Sequence, residues 1–186
     1  MSAVDDFLSI AGESTFGSPK VNWGAVVDYY GVEFPGDYKA ISERYFSIAI
    51  NGRLLVALPS AFGGTEEDFL GIDLLRRDIE SMKRGSEFDG VEHPVGVTTG
   101  VRVPYPLHPE VPGLLPWGET DTGIVCLWLT SQAAGDWTIV VTDYARWEHY
   151  ECSLSEFLVS LMRGEIVNSI ISGSWSVQKG VEQFSV

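Results

Sequence analysis

Gly113-Leu-Leu-Pro-Trp-Gly-Glu-Thr-Asp-Thr-Gly123 runs directly into Ile124-Val-Cys-Leu-Trp-Leu-Thr130. The first half is punctuated by Gly, Pro and Asp and carries one Trp and two carboxylates. The second alternates Val125, Leu127 and Leu129 against Cys126 and Trp128. This pattern predicts a rigid turn presenting Trp117, followed by a strand covered on both faces, which together start an antiparallel hairpin. Two more short strands are expected at about 137–142 and 147–151. Ala134-Gly-Asp136 and Tyr144-Ala-Arg146 connect them into a meander.

Upstream, Tyr45-Phe-Ser-Ile-Ala-Ile50 and Arg53-Leu-Leu-Val-Ala-Leu58 flank Asn51-Gly52. Asn-Gly between two apolar runs favours a tight hairpin, because the turn needs positive φ at both central residues. Helices are expected around this sheet. One starts at the cap Asn22, with Trp23, Val26, Val27 and Tyr30 on one face and Gly31 as its stop. A short second helix follows Phe34-Pro-Gly-Asp37, with Tyr38, Ile41 and Tyr45 in a stripe. A third is capped by Thr65, carries Glu66, Glu67 and Asp68 in its first turn, and ends at Gly85. The last opens on the capping box Ser153-Leu-Ser-Glu156, buries Leu154, Phe157, Leu158 and Leu161, and stops at Gly164. Residues 1–20 read as a flexible N-terminal arm. Residues 86–112 read as a long loop with a strand or two, and residues 166–186 as a tail able to add an edge strand through Ser174-Trp-Ser-Val177. The sum is one α+β domain over residues 21–165, a central antiparallel sheet packed against about four helices.

With 186 residues, 45% hydrophobic and 12% aromatic, the chain has material for a real core. The formal net charge is −14 and the pI is near 4.4. Such a field repels nucleic acid and anionic membranes and draws basic partners, although the same charge also serves solubility. Cys126 and Cys152 lack CxxC spacing and read as buried, reduced thiols. With no basic leader and no apolar run of membrane-spanning length, the expected location is the cytoplasm.

Catalytic signatures are weak. His93, His108 and His149 lack metal-ligand spacing, so no metal or other cofactor is expected. Gly63-Gly64 lacks the Lys of a phosphate loop. Glu119 and Asp121 form a conceivable carboxylate pair, but no oxyanion loop or nucleophile motif accompanies them. The binding candidates are Trp117, Glu119 and Asp121 on the first turn, with Asp143, Trp147, Glu148 and Glu151 as an acidic rim around an aromatic centre. Each has a structural alternative. Trp117 suits a plug at the sheet end, Asp121 an Asx turn, and the rim a solvated strand edge.

Several of these segments together resemble the SUKH superfamily, which takes in the Smi/Knr-type yeast cell-wall regulators and many bacterial relatives. The carriers are Trp23…Val27…Tyr30-Gly31, Phe34-Pro-Gly-Asp-Tyr-Lys39, the Gly113–Gly123 run, Leu127-Trp128, Trp137-Thr-Ile-Val-Val141 and Phe157-Leu158…Gly164. They span residues 21 to 165 in order. The segment 86–112 and the tail after Gly164 depart from the pattern. The resemblance implies an α+β fold and, for a bacterial member, an immunity protein that binds and neutralises a polymorphic toxin, with a basic nuclease-type domain as the expected partner. Its eukaryotic relatives imply an alternative, a regulatory scaffold with several cellular partners.

Overall fold

The computed structural model describes residues 2–59, 105–167, 169–171 and 180–184. The expected helix at 65–85, the segment 86–104 and the Ser174–Val177 piece lie outside these residues. The described chain is an α+β fold: four helices and a seven-stranded antiparallel sheet. The helices are α1 (Ala3–Ala11), α2 (Trp23–Tyr30), α3 (Gly36–Ser42) and α4 (Leu154–Arg163). The strands are β1 (Ser47–Ile50), β2 (Leu54–Val56), β3 (Leu114–Thr120), β4 (Val125–Leu129), β5 (Thr138–Thr142), β6 (Trp147–Tyr150) and β7 (Val181–Phe184). Their order across the sheet is β6-β5-β4-β3-β2-β1-β7.

Local chemistry explains most boundaries. The Asn22 side chain accepts the N–H of Ala25, and Gly31 ends α2 at φ +71°. Ser153 and Glu156 cap α4 reciprocally, and Gly164 ends it at φ +71°. In the β1–β2 turn Asn51 and Gly52 both have positive φ, and the N–H of Arg53 donates to the Ile50 carbonyl at 3.0 Å.

Three features differ from the expectations. Residues 1–20 are not merely an arm: Ser2 and Asp5 form a capping box for α1, whose Phe7 is fully buried against Tyr45. The edge strand in the tail is Val181–Phe184, paired antiparallel with β1. The Gly113–Gly123 run is not a turn for most of its length but the seven-residue strand β3, paired with both β2 and β4. Pro116 is tolerated in its interior because the ladder slips there. Pro116 opposes Leu127 and Gly118 opposes Cys126, which leaves Trp117 as the extra residue of a bulge.

The helices cover one face of the sheet. There Leu115, Trp117, Cys126, Trp128, Ile139 and Val141 meet Phe7, Tyr38, Ile41, Phe157 and Leu158 in one core. On the other face Leu114, Val125, Leu127 and Val140 form a smaller cluster closed by Tyr105, Leu107 and Trp147. Phe34 lies 5.8 Å from Trp128 and 5.7 Å from Trp137, and Tyr38 lies 4.8 Å from Trp128. The Trp128 contacts are edge-to-face and the Phe34–Trp137 contact is tilted; aromatic pairs of this kind add about 0.5–1.5 kcal/mol each beyond burial. The aromatic positions of the short helix and of the Trp117 run are therefore a core signature.

Candidate functional site

The register brings three turns to one end of the sheet: 51–53, 121–124 and 143–146. Leu54 opposes Thr120, Val125 opposes Thr142, and Thr142 opposes Trp147. Asp121, Asp143 and Trp147 therefore gather at this end, with Glu119 one rung inside. The gathering is largely self-neutralised. Asp121 does not build an Asx turn: its carboxylate accepts from Arg53 Nε at 3.2 Å, and its N–H donates to the Arg53 carbonyl at 3.0 Å. The turn itself is held by Thr120, whose Oγ1 accepts the Ile124 N–H at 3.0 Å. Asp143 accepts from Arg146 Nη2 at 2.7 Å and from the N–H groups of Arg146 and Ala145 at 2.8 and 3.1 Å. Partial burial pushes the Asp143 carboxyl upward, but the Arg146 hydrogen bonds and charge outweigh it and hold the pKa below the ordinary value.

The other rim candidates separate. Trp117 is not a surface anchor. It is fully buried on the helix side, 6.0 Å from the Phe157 ring, on the face that Leu115 already presents two residues earlier. Glu148 also faces the helix side, opposite Val141. Its carboxylate accepts the Tyr150 hydroxyl at 2.7 Å and the Ile170 N–H at 3.0 Å, which ties residues 169–171 to β6. Burial, followed by the Glu148 contact and charge, pushes the Tyr150 hydroxyl up to about 12, although a bond with Ser169 works the other way. Trp147 packs half-buried on the smaller cluster. Glu151 lies at the opposite end of β6, exposed. The structure thus splits the expected rim into a paired turn end, an inward latch and one free carboxylate.

Electrostatics point to a different surface. Arg44, Arg53, Arg146 and Arg163 pair with Glu13, Asp121, Asp143 and Asp6, and Lys39 pairs with Glu33. Exposed pairs of this kind contribute little stability, about 0–1 kcal/mol each, but they cancel every described cation except the exposed Lys20. Among the described residues the exposed carboxylates of Asp28, Glu110, Asp136, Glu151, Glu165 and Glu182 have no hydrogen bond or ion pair. Glu110, Asp136 and Glu151 sit on the connections at the sheet end opposite the hairpin turns. Thr130 donates its N–H to the Gly113 carbonyl there at 2.8 Å, fixing the 108–113 loop beside the β4–β5 connection. Sequence reading missed Glu110 and Asp136, since a lone acidic residue in a loop carries no pattern.

The remaining chemistry is quiet. His108 Nε2 donates to the Tyr30 carbonyl at 2.7 Å, and His149 Nε2 lies 2.8 Å from Thr138 Oγ1. His93 is outside the described residues. Among the described residues no group of His, Cys, Asp and Glu could hold a metal, and no helix is long and apolar enough to cross a membrane. Both cysteines are free thiols. Burial pushes Cys126 far up, and burial with Glu156 nearby pushes Cys152 up to about 11, so both stay protonated at neutral pH. No family model, curated protein or solved structure matches this chain.

Proposed function

We propose that this chain is a non-catalytic binding protein of SUKH type, an immunity protein that neutralises a basic toxin domain by stoichiometric occlusion in the cytoplasm. The observation that carries the reading is the charge pattern. Among the described residues the arginines and Lys39 are matched to carboxylates and Lys20 is the one exposed cation left without a partner, against six exposed carboxylates left over on a chain of net charge −14. A surface on which unpaired carboxylates outnumber unpaired cations steers basic proteins inward and repels polyanions. Nuclease domains are basic because they grip phosphates, so an acidic inhibitor associates quickly and covers the same surface.

Neutralisation is the test. A toxic domain encoded beside this chain is expressed alone and with it, and its activity is titrated in vitro with the purified full chain. The reading predicts growth arrest without the chain, rescue with it, and loss of toxin activity complete at one equivalent. Catalytic disappearance of the toxin's effect at far below one equivalent, or no rescue at any ratio, contradicts it.

A further inference from the structure

Between the first turns of α1 and α4 and the β4–β5 connection lies a cleft of 320 Å³, walled by Pro35, Asp37, Trp128, Ala134, Trp137 and Leu154. Sites for small molecules run from roughly 300 to 1,000 Å³, so this one has room for one or two side chains and a stretch of backbone. Its lining is mostly apolar and aromatic, yet it holds unanswered donors. Trp128 lines the wall fully buried, its indole nitrogen shielded from solvent and without an acceptor among the described residues, so it reports on the wall rather than opening a donor to the cleft. The Trp137 indole donates to the Ser131 carbonyl at 3.0 Å. Ala3, Val4 and Leu154, in the first turns of nine- and ten-residue helices, bring N–H groups that their helices cannot pair internally.

A free anion is a poor match for these donors, because carboxylates already occupy the helix starts. Asp37 accepts the Ser155 N–H at 2.8 Å, and Glu156 accepts the Ser153 N–H at 2.8 Å. The rim is acidic as well. Asp136 lies between the lining residues Gly135 and Trp137, Glu151 lies two residues before Ser153, and both are exposed and unpaired among the described residues. The cleft therefore asks for neutral acceptors within and positive charge at its mouth. A peptide segment carrying Arg supplies both: carbonyl oxygens for the donors, an aliphatic stem for the apolar wall and a guanidinium for the rim.

We propose that this cleft is the docking site for an arginine-bearing segment of the protein partner. The inference rests on the reading above only in taking that partner to be a basic protein.

The test uses the full chain, isotope-labelled, titrated with acetyl-Gly-Arg-Gly-amide and, as control, acetyl-Gly-Glu-Gly-amide. The arginine peptide is expected to shift the Trp128 indole N–H and the Ala3, Val4 and Gly135 amides saturably, with the glutamate peptide at least about tenfold weaker. Two folded variants sharpen the result. Asp136→Arg combined with Glu151→Arg weakens the arginine peptide about tenfold. Gly135→Phe, whose Cβ enters open space, fills the mouth and abolishes the shifts. No saturable shift at Trp128, equal response to both peptides, or shifts centred on residues 121–124 overturns the proposal. A toxin complex that leaves Trp128 and Gly135 unperturbed overturns it too, while leaving neutralisation intact. Saturable arginine binding at Trp128 without any toxic partner upholds the cleft and removes the immunity reading.

Discussion

The Asp37 carboxylate joins two helices that lie far apart in sequence: Oδ2 accepts the Ser155 N–H at 2.8 Å, while Oδ1 accepts the Tyr38 N–H at 2.8 Å. One side chain thus serves the starts of α3 and α4 and holds the floor of the cleft between them. Asp37→Ala is expected to cost about 1–2 kcal/mol. Asn keeps the acceptor at Oδ1, so Asp37→Asn should lose less than half of that. Urea unfolding of the three proteins checks the order, and equal stability of wild type and Asp37→Ala contradicts the role.

Close backbone approach fixes two glycines. A Cβ at Gly113 would meet the Glu110 carbonyl oxygen at 2.1 Å, and one at Gly118 would meet the Leu55 carbonyl oxygen at 2.8 Å, where β2 and β3 run together. Gly113→Ala and Gly118→Ala are expected to destabilise by about 1–3 kcal/mol through overpacking. At Gly135, where a Cβ meets nothing within 4 Å, alanine should change stability by less than about 0.5 kcal/mol. Thermal unfolding separates the two classes.

Trp117 and Glu151 were both candidates for partner contact, and the structure gives them opposite duties. Truncating the buried Trp117 to Ala should cost about 3–5 kcal/mol of stability. Glu151→Ala should leave stability within about 0.5 kcal/mol and slow association with a basic partner. Chemical denaturation and stopped-flow binding on the same two variants decide the matter. A folded, stable Trp117→Ala that fails only in binding contradicts the assignment.

Asp143 gives a pH dependence with a defined sign. Its folded pKa lies below the ordinary 3.8 because the Arg146 contacts outweigh the cost of burial. Its contribution is therefore fully present above the unfolded value and fades as pH falls through the folded one. The stability difference between wild type and Asp143→Ala should stay constant from pH 7 to about 5 and shrink below pH 3.8. A difference that grows on acidification contradicts the pairing.

The sequence showed what local chemistry dictates. The caps at Asn22 and Ser153, the Asn51-Gly52 turn and the β4, β5 and β6 periods stand in the structure within a residue or two of where their patterns put them. It hid β3, because Pro116 and Gly118 read as turn residues. Their tolerance depends on a bulge and on the neighbouring strand, neither of which is local. It hid α1 because that helix is short and depends on tertiary burial of Phe7. The candidate site was less legible. Loop composition sets a contact role for Trp117, Asp121 and Asp143 beside a structural one and cannot choose between them, because burial and ion pairing are set by partners distant in sequence, Phe157 and Arg53 among them.

The central claim is recognition of a basic partner through unpaired surface carboxylates. Its most direct measurement is capture on the immobilised full chain from the native host, eluted by a rising salt gradient, with the captured protein then expressed alone. The account predicts one basic protein at equal stoichiometry, released as salt rises and toxic without this chain. Several housekeeping proteins held regardless of salt, or no protein at any ionic strength, would contradict it.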